Sequence, residues 1–267
     1  MVSQEVYESI DEWAEERQGP RSLHITENRE EIIGRLNEGI EWIRSLGKWA
    51  LPEILPEELK AMVVSHRGDI KKLNIKELSD WVKGRLIATK DVQEKTKLEL
   101  ATRDWLYELI AQNIKRQEDI FELSEVFKTG YANCLGYAQI FKLLAEKLGL
   151  EVGIVDVIID DTGRYVVHNA NTLRLSNGES KIVDLWYGSK DFRHQRIGLR
   201  VKEAGAWSVK DIDTIELPKF EDIKGLSKEC ILGIIHYNLG NRYLRKEELD
   251  EAIVHYTISI QLFPEYA

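Results

Sequence analysis

Hydrophobic residues recur every three or four positions over most of the first half of the chain. This spacing places them on one face of an α-helix and leaves polar residues on the other. The segments that show it are 7–14, 32–43, 74–87 and 98–114. Asn74 is of a residue type that caps a helix N-terminus. Pro52 and Pro56 interrupt the pattern, and we expect a loop there that separates an N-terminal helical extension from the rest.

The pattern changes after Gly149 from helical to extended. Short runs rich in β-branched residues predict strands at 152–159, 164–175, 181–186, 197–201 and 206–209. The dipeptide Asn177-Gly178, which is typical of a β-hairpin turn, separates the second run from the third. A helical region followed by consecutive strands predicts an α+β fold, in which an antiparallel sheet packs against helices.

Helical spacing returns at 236–267, as two helices joined by a turn. This segment resembles a single tetratricopeptide repeat, a pattern of about 34 residues with small and aromatic residues at fixed offsets. The matching residues are Asn238-Leu239-Gly240, Tyr243, Asp250-Glu251-Ala252, Tyr256 and Pro264. Ser259 stands where the pattern usually has alanine, and Glu247 stands at the turn, where glycine is common.

One such repeat cannot bury its own apolar face. It therefore packs on the preceding domain, stacks on another molecule, or belongs to a longer array; the sequence holds no second copy. These patterns predict three regions: a helical N-terminal region at 1–95, an α+β core at 96–225, and the helical hairpin at 226–267.

Composition excludes several classes of function. The net charge is −9 and the pI is about 5.4, so no basic footprint for nucleic acid is present. The sequence has no run of 18 apolar residues, so it predicts no membrane span. The acidic N-terminus is unlike a secretory signal. Two cysteines form no disulfide framework, which favours a cytoplasmic setting. The cysteines and histidines show no zinc-binding spacing, so we expect no metal and no cofactor.

Cys134 precedes an apolar helix that carries Ala138, Phe141, Ala145 and Leu148 on one stripe. A lone cysteine on such a stripe is more often a small, inert core residue than a nucleophile. Its place at the start of the helix favours a second interpretation, because the helix dipole and free amide groups stabilise a thiolate. The same amide groups can stabilise an oxyanion.

Two residues in the predicted strands are suited to assist a thiol. His168 lies within the strand VVHNANTL, and Asp184 lies between Val183 and Leu185 in the next strand. An acidic side chain in an apolar strand needs a partner, because an unpaired buried charge is costly. His168 would be such a partner, and a thiol nucleophile needs both a base and a group that orients the base.

Residues 122–188 resemble the transglutaminase-like superfamily of papain-related cysteine enzymes. The similar segments are NCLGYAQIFKLLAEKLGL, VVHNANTL and KIVDLW, in the order of that family's nucleophile helix, base strand and acid strand. The resemblance implies that Cys134 is the nucleophile, His168 the general base and acid, and Asp184 the residue that orients the imidazole. It also implies a papain-like core, in which the nucleophile helix packs on an antiparallel sheet.

The chain departs from the family pattern at two places. Asn169 and Ala170 replace a frequent small–aromatic pair after the histidine, and Ala132 or Asn133 replaces a frequent glycine before the cysteine. The family sometimes supplies an oxyanion side chain upstream of the cysteine. Gln112 and Asn113 are candidates here, with no motif that selects either.

The hairpin between the second and third predicted strands tests this triad. With a two-residue turn, Asp184 would stand opposite Asn171 and on the other face of the sheet from His168. With Ser176 to Gly178 as a three-residue turn, Asp184 would stand opposite Ala170, diagonal to His168 on the same face. The triad therefore requires an odd loop or a bulge between Leu175 and Lys181.

The sequence predicts a cysteine enzyme that hydrolyses amide or peptide bonds through Cys134, His168 and Asp184. Hydrolysis is favoured over cross-linking, because water is the default acceptor of an acyl group and no amine site is indicated. The expected substrate is a peptide or protein, and a protein partner or self-association through the repeat is a further expectation. The alternative is a catalytically inactive scaffold that binds partners through its helical regions, since fold does not fix function.

Overall fold

The computed structural model describes residues 75–159, 164–188, 196–214 and 216–266. The helices predicted at 7–14 and 32–43 and the proline loop lie outside these residues. The described helices are α1 (Ile75–Ala88), α2 (Val92–Asn113), α3 (Leu123–Thr129), α4 (Cys134–Lys147), α5 (Lys228–Arg245) and α6 (Leu249–Leu262). None of these helices has an apolar stretch of the length needed to cross a membrane.

A large apolar core lies between the helices and the sheet. Trp105 and Leu106 of α2 meet Phe141 and Leu144 of α4, and Leu173 of the sheet packs against the same cluster. Burial of each such side chain contributes roughly 1.5–3 kcal/mol. The two helices begin at side-chain caps: the Asp91 carboxylate accepts from the Glu94 amide at 2.8 Å, and the Asn133 side chain accepts from the Gly136 amide at 3.0 Å.

Five strands form one antiparallel sheet. They are β3 (Glu151–Ile159), β4 (Tyr165–Arg174), β5 (Ser180–Val183), β6 (Arg196–Glu203) and β7 (Ala206–Asp213), in the spatial order β5-β4-β3-β6-β7. A register shift between Val157 and Ile159 and short bridges from Val155 to Gly225 and from Val201 to Ile223 curl the sheet. The predicted α+β class is therefore confirmed. Two two-residue strands, β1 (Lys115–Arg116) and β2 (Tyr131–Ala132), pair in parallel beside it.

The hairpin between β4 and β5 has a loop with an odd number of residues, as the predicted triad requires. Leu173 pairs with Lys181 and Asn171 pairs with Val183. The Leu175 amide donates to the Glu179 carbonyl at 2.9 Å, which leaves the three residues from Ser176 to Gly178 as the turn. Continued by one residue, this register places Asp184 opposite Ala170.

The C-terminal helical hairpin packs on the rest of the chain. Phe121 and Leu135 form one buried cluster with Ile234 of α5 and Phe263 beyond α6. Ion pairs surround this cluster, among them Arg242 with Glu125 at 2.8 Å and Lys224 with Glu265 at 2.8 Å. Of the three arrangements open from the sequence, the structure therefore shows packing against the preceding domain.

Close contact between α5 and α6 depends on two glycines of α5. A Cβ atom at Gly240 would lie 2.7 Å from the Tyr256 ring, and one at Gly233 would lie 2.9 Å from the Phe263 Cβ atom. At the turn between the helices, Glu247 has a positive φ of 63°. Glu247 thus holds a left-handed conformation that glycine adopts more readily than other residues.

We expect Gly240→Ala to destabilise the protein by roughly 1–3 kcal/mol, because the added methyl group has no space against Tyr256. Gly84→Ala in α1 is the matched control: no atom lies within 4 Å of its Cβ position, so the same change should stabilise by up to about 1 kcal/mol. Urea unfolding measures both. An equal effect of the two substitutions would contradict the tight helix contact.

Candidate active site

Cys134 is the first residue of α4. The residue before it, Asn133, is locked in place: its amide donates to the Ile120 carbonyl at 2.6 Å, and its side chain caps Gly136. The amide groups of Cys134 and Leu135 lie in the first helical turn, where no intrahelical acceptor exists. Cys134 itself is half-buried. The thiol is therefore held at the positive end of a helix dipole without being sealed in the core.

His168 and Asp184 are hydrogen-bonded to each other. The Nε2 atom of His168 lies 2.5 Å from Oδ2 of Asp184, and both side chains are buried. The other carboxylate oxygen, Oδ1, accepts from the amides of Trp186 at 2.8 Å and Tyr187 at 3.0 Å. These three hydrogen bonds compensate for the burial of the Asp184 charge.

Cys134 lies close enough to His168 to raise the pKa of the imidazole through a side-chain hydrogen bond and its charge. Because Asp184 occupies Nε2, we infer that Nδ1 is the ring nitrogen on the side of the thiol. Burial alone would lower the pKa of His168. The hydrogen bonds and negative charges of Asp184 and Cys134 outweigh burial and raise the pKa to about 10. The imidazole is thus favoured in its protonated form between two partners.

The Tyr187 ring covers the imidazole. Its centroid lies 4.7 Å from that of His168, and the side chain is 55% exposed while His168 is only 4% exposed. Trp186, its neighbour, packs edge-on against Tyr137 with centroids 6.5 Å apart. Both aromatic residues therefore pack beside the buried histidine and carboxylate.

A buried glutamate that the sequence did not single out anchors the hairpin turn. The Glu99 carboxylate in α2 accepts from the Ser176 amide at 2.8 Å and from the Ser176 hydroxyl at 2.6 Å. Because this turn sets the register of β5, Glu99 is a positioning residue for Asp184. The sequence carries no clear signal for it, because its neighbours on the same helix face, Thr96, Thr102 and Arg103, are polar as well.

The two side chains considered as oxyanion donors are placed differently. The Asn113 amide donates to the Leu109 carbonyl of its own helix at 2.7 Å, and Gln112 is exposed. No hydrogen bond of the described residues links either of them to Cys134. The backbone amides of the first turn of α4 are the donors that lie beside the thiol.

A further carboxylate, that of Asp156, lies buried near the site. Asp156 pairs across β3 and β4 with Asn169, and its Oδ1 atom has no hydrogen-bond partner among the described residues. Burial raises the pKa of Asp156 to about 6, while Arg200 and His168 oppose the shift. Across the described ranges, no group of three or more His, Cys, Asp or Glu side chains is arranged to hold a metal ion.

Comparison with known proteins assigns no family. No family model matches the chain, and no curated protein matches it. Among solved structures, the chain is similar to a Parabacteroides distasonis protein provisionally described as a protease, with 14% identity and a TM-score of 0.30. The similar region covers 58% of this chain and 31% of that one, so the chain spans about a third of its length. This likeness is too weak to assign a fold or an activity.

The raised pKa of His168 predicts a pH dependence of stability. Protonated His168 stabilises the folded state fully below pH 6.5, its ordinary pKa, and this contribution is lost as the pH rises through about 10. We expect the free energy of unfolding of the wild type to exceed that of His168→Gln by a few kcal/mol at pH 6. The difference should shrink towards pH 10, and a difference independent of pH would contradict the assignment.

Asp156→Asn is expected to stabilise the protein at pH 7.5. Burial raises the pKa of Asp156 to about 6, so the folded state favours the protonated carboxyl. Its contribution to stability is fully present below pH 3.8 and is lost as the pH rises through 6. The neutral amide of Asn removes the cost of the buried charge at pH 7.5 and has little effect at pH 4. Thermal unfolding at the two pH values measures the change in Tm. Asp211→Asn is the control, because Asp211 is exposed and paired with Arg196. An equal change in Tm at both pH values for Asp156→Asn would refute the prediction.

Proposed function

We propose that this protein is a transglutaminase-like cysteine hydrolase that cleaves amide or peptide bonds through an acyl-enzyme. The observation that supports the proposal is the hydrogen-bonded chain from Cys134 through His168 to Asp184, at the start of α4. A nucleophile, a base and an orienting carboxylate in this arrangement are sufficient for acyl transfer. The C-terminal hairpin is, in the same proposal, a tetratricopeptide-type unit that packs on this core.

The first half of the reaction uses the thiolate and the imidazolium. The Sγ atom of Cys134 attacks the carbonyl carbon, and the π electrons of the carbonyl move to its oxygen. The amide groups at the start of α4 are positioned to stabilise that oxyanion. Collapse of the intermediate breaks the carbon–nitrogen bond, and the leaving amine takes its proton from Nδ1 of His168.

The second half regenerates the enzyme with water. The imidazole of His168 is neutral at this stage, because its proton has gone to the leaving amine. It accepts a proton from water, whose oxygen attacks the thioester carbonyl. Collapse breaks the carbon–sulfur bond and returns the thiolate beside the imidazolium, while Asp184 holds the ring throughout.

The alternative is a catalytically inactive scaffold that binds a protein partner. One observation favours it: Leu249, Ile253 and Ile260 of α6 are 50–58% exposed, although they are large and apolar. Such side chains on one helix are typical of an interaction surface. The two functions differ in what Cys134 does, so substitution of this residue separates them.

We expect Cys134→Ala to abolish the hydrolysis of a fluorogenic peptide or ester library. His168→Gln and Asp184→Asn should lower kcat by roughly 10²–10⁴, because each removes proton transfer or orientation of the imidazole. Cys230→Ala is the control, since this second cysteine lies half-buried in α5, away from the triad. Equal turnover by the wild type and Cys134→Ala would contradict the hydrolase function and leave the catalytically inactive scaffold as the remaining function.

A further inference from the structure

Arg116 is fixed beside the strand that leads to the nucleophile. It lies in β1, where it pairs with Ala132 of β2, two residues before Cys134. The Gln117 amide donates to the Ala132 carbonyl at 2.9 Å, and the Lys115 amide donates to the Gly130 carbonyl at 2.8 Å. These main-chain bonds on both sides of Arg116 hold its backbone next to the active-site strand.

The other end of the Arg116 side chain reaches the turn that follows Asp184. Its guanidinium carbon lies 6.0 Å from the centroid of the Trp186 ring. A Cβ atom at Gly188 would lie 3.2 Å from Nη2 of Arg116 and 3.8 Å from the Tyr107 hydroxyl. Arg116 therefore spans from the nucleophile strand to the acid turn, and the absence of a side chain at Gly188 leaves room for the guanidinium.

Among the described residues, the Arg116 guanidinium has no carboxylate partner. Within the part of the chain that the structure describes, no acidic side chain forms an ion pair with Arg116. By contrast, Arg242 pairs with Glu125 and Arg196 pairs with Asp211, each at 2.8 Å. The two oxygens of Asp184 accept from His168 and from the amides of Trp186 and Tyr187, and no hydrogen bond to Arg116 accompanies them. Within the described residues, Arg116 thus presents a cation without an ion-pair partner at an exposed position beside the triad.

We propose that Arg116 binds a carboxylate of the substrate, so that the enzyme selects peptides with a negative charge close to the scissile amide. This inference rests on the proposed hydrolase function. The guanidinium lies over the Trp186 ring, and the planar fork of N–H donors of an arginine matches a carboxylate with two parallel hydrogen bonds. The carboxylate belongs either to an acidic side chain or to the free C-terminus of a peptide, and both sources offer the same chemistry.

Matched peptides test the proposal on the full chain. One pair differs only in Glu against Gln near the scissile bond, and a second pair differs only in a free or amidated C-terminus. We expect the wild type to prefer one acidic member by roughly 10- to 100-fold in kcat/KM, mainly through KM. Arg116→Gln should reduce that preference to less than about 3-fold, and Arg116→Lys should retain part of it because the charge remains.

Arg85→Gln is the matched control, because Arg85 also stacks on a tryptophan, Trp81, at 5.7 Å but lies in α1. It should leave the preference unchanged. The pair that shows the preference identifies the source of the carboxylate. Equal kcat/KM for the members of both pairs in the wild type, or a preference that persists in Arg116→Gln, would overturn the role of Arg116.

A chemical probe separates this proposal from the hydrolase function. Iodoacetate carries a carboxylate and iodoacetamide does not, and both alkylate a thiol without any turnover. We expect Arg116→Gln to lower the iodoacetate-to-iodoacetamide rate ratio at Cys134 several-fold, measured by mass spectrometry with Cys230 as the internal reference. If no peptide is hydrolysed, the hydrolase function fails while a lowered ratio still supports carboxylate binding by Arg116. A ratio unchanged by Arg116→Gln would then overturn it.

Discussion

The buried carboxylate of Asp184 is the interaction on which the site depends. Its side chain is 1% exposed, so its charge must be compensated within the protein. Two of its three hydrogen bonds come from the amides of Trp186 and Tyr187, which fold the chain back immediately after the strand. The third comes from His168, and it fixes the imidazole ring with its other nitrogen directed to Cys134. One group therefore determines the turn, the orientation of the base and the protonation of the base.

That arrangement is possible only in one strand register. The three-residue turn after β4 places Asp184 diagonal to His168, whereas a shift of one residue would move the carboxylate to the opposite face. The Glu99 carboxylate holds this turn through Ser176, from a helix 77 positions earlier in the chain. The position of one buried carboxylate thus depends on another. Glu99 fixes the turn, and the turn fixes the strand register that places Asp184 beside His168.

The sequence could predict the features that depend on local pattern or on the cost of a buried charge. It indicated the strands, the helix that begins at Cys134 and the need of Asp184 for a partner such as His168, and it showed that such a pair requires a hairpin loop with an odd number of residues or a bulge. It could not predict contacts between distant segments that have no periodic pattern. The Glu99–Ser176 bond and the approach of Arg116 to Trp186 are of this kind, since each involves a residue type that is usually solvated on a surface.

The C-terminal hairpin supports the first turn of α4. Leu135, the residue after Cys134, is fully buried in the cluster that Ile234 and Phe263 complete. Arg242 lies 4.6 Å over the Phe121 ring of the same cluster and forms an ion pair with Glu125 in α3. Because a helix start has few hydrogen bonds of its own, side-chain packing must fix its position. The hairpin therefore buries part of its own apolar surface in this cluster, and in doing so it holds the first turn of α4, where the thiol lies.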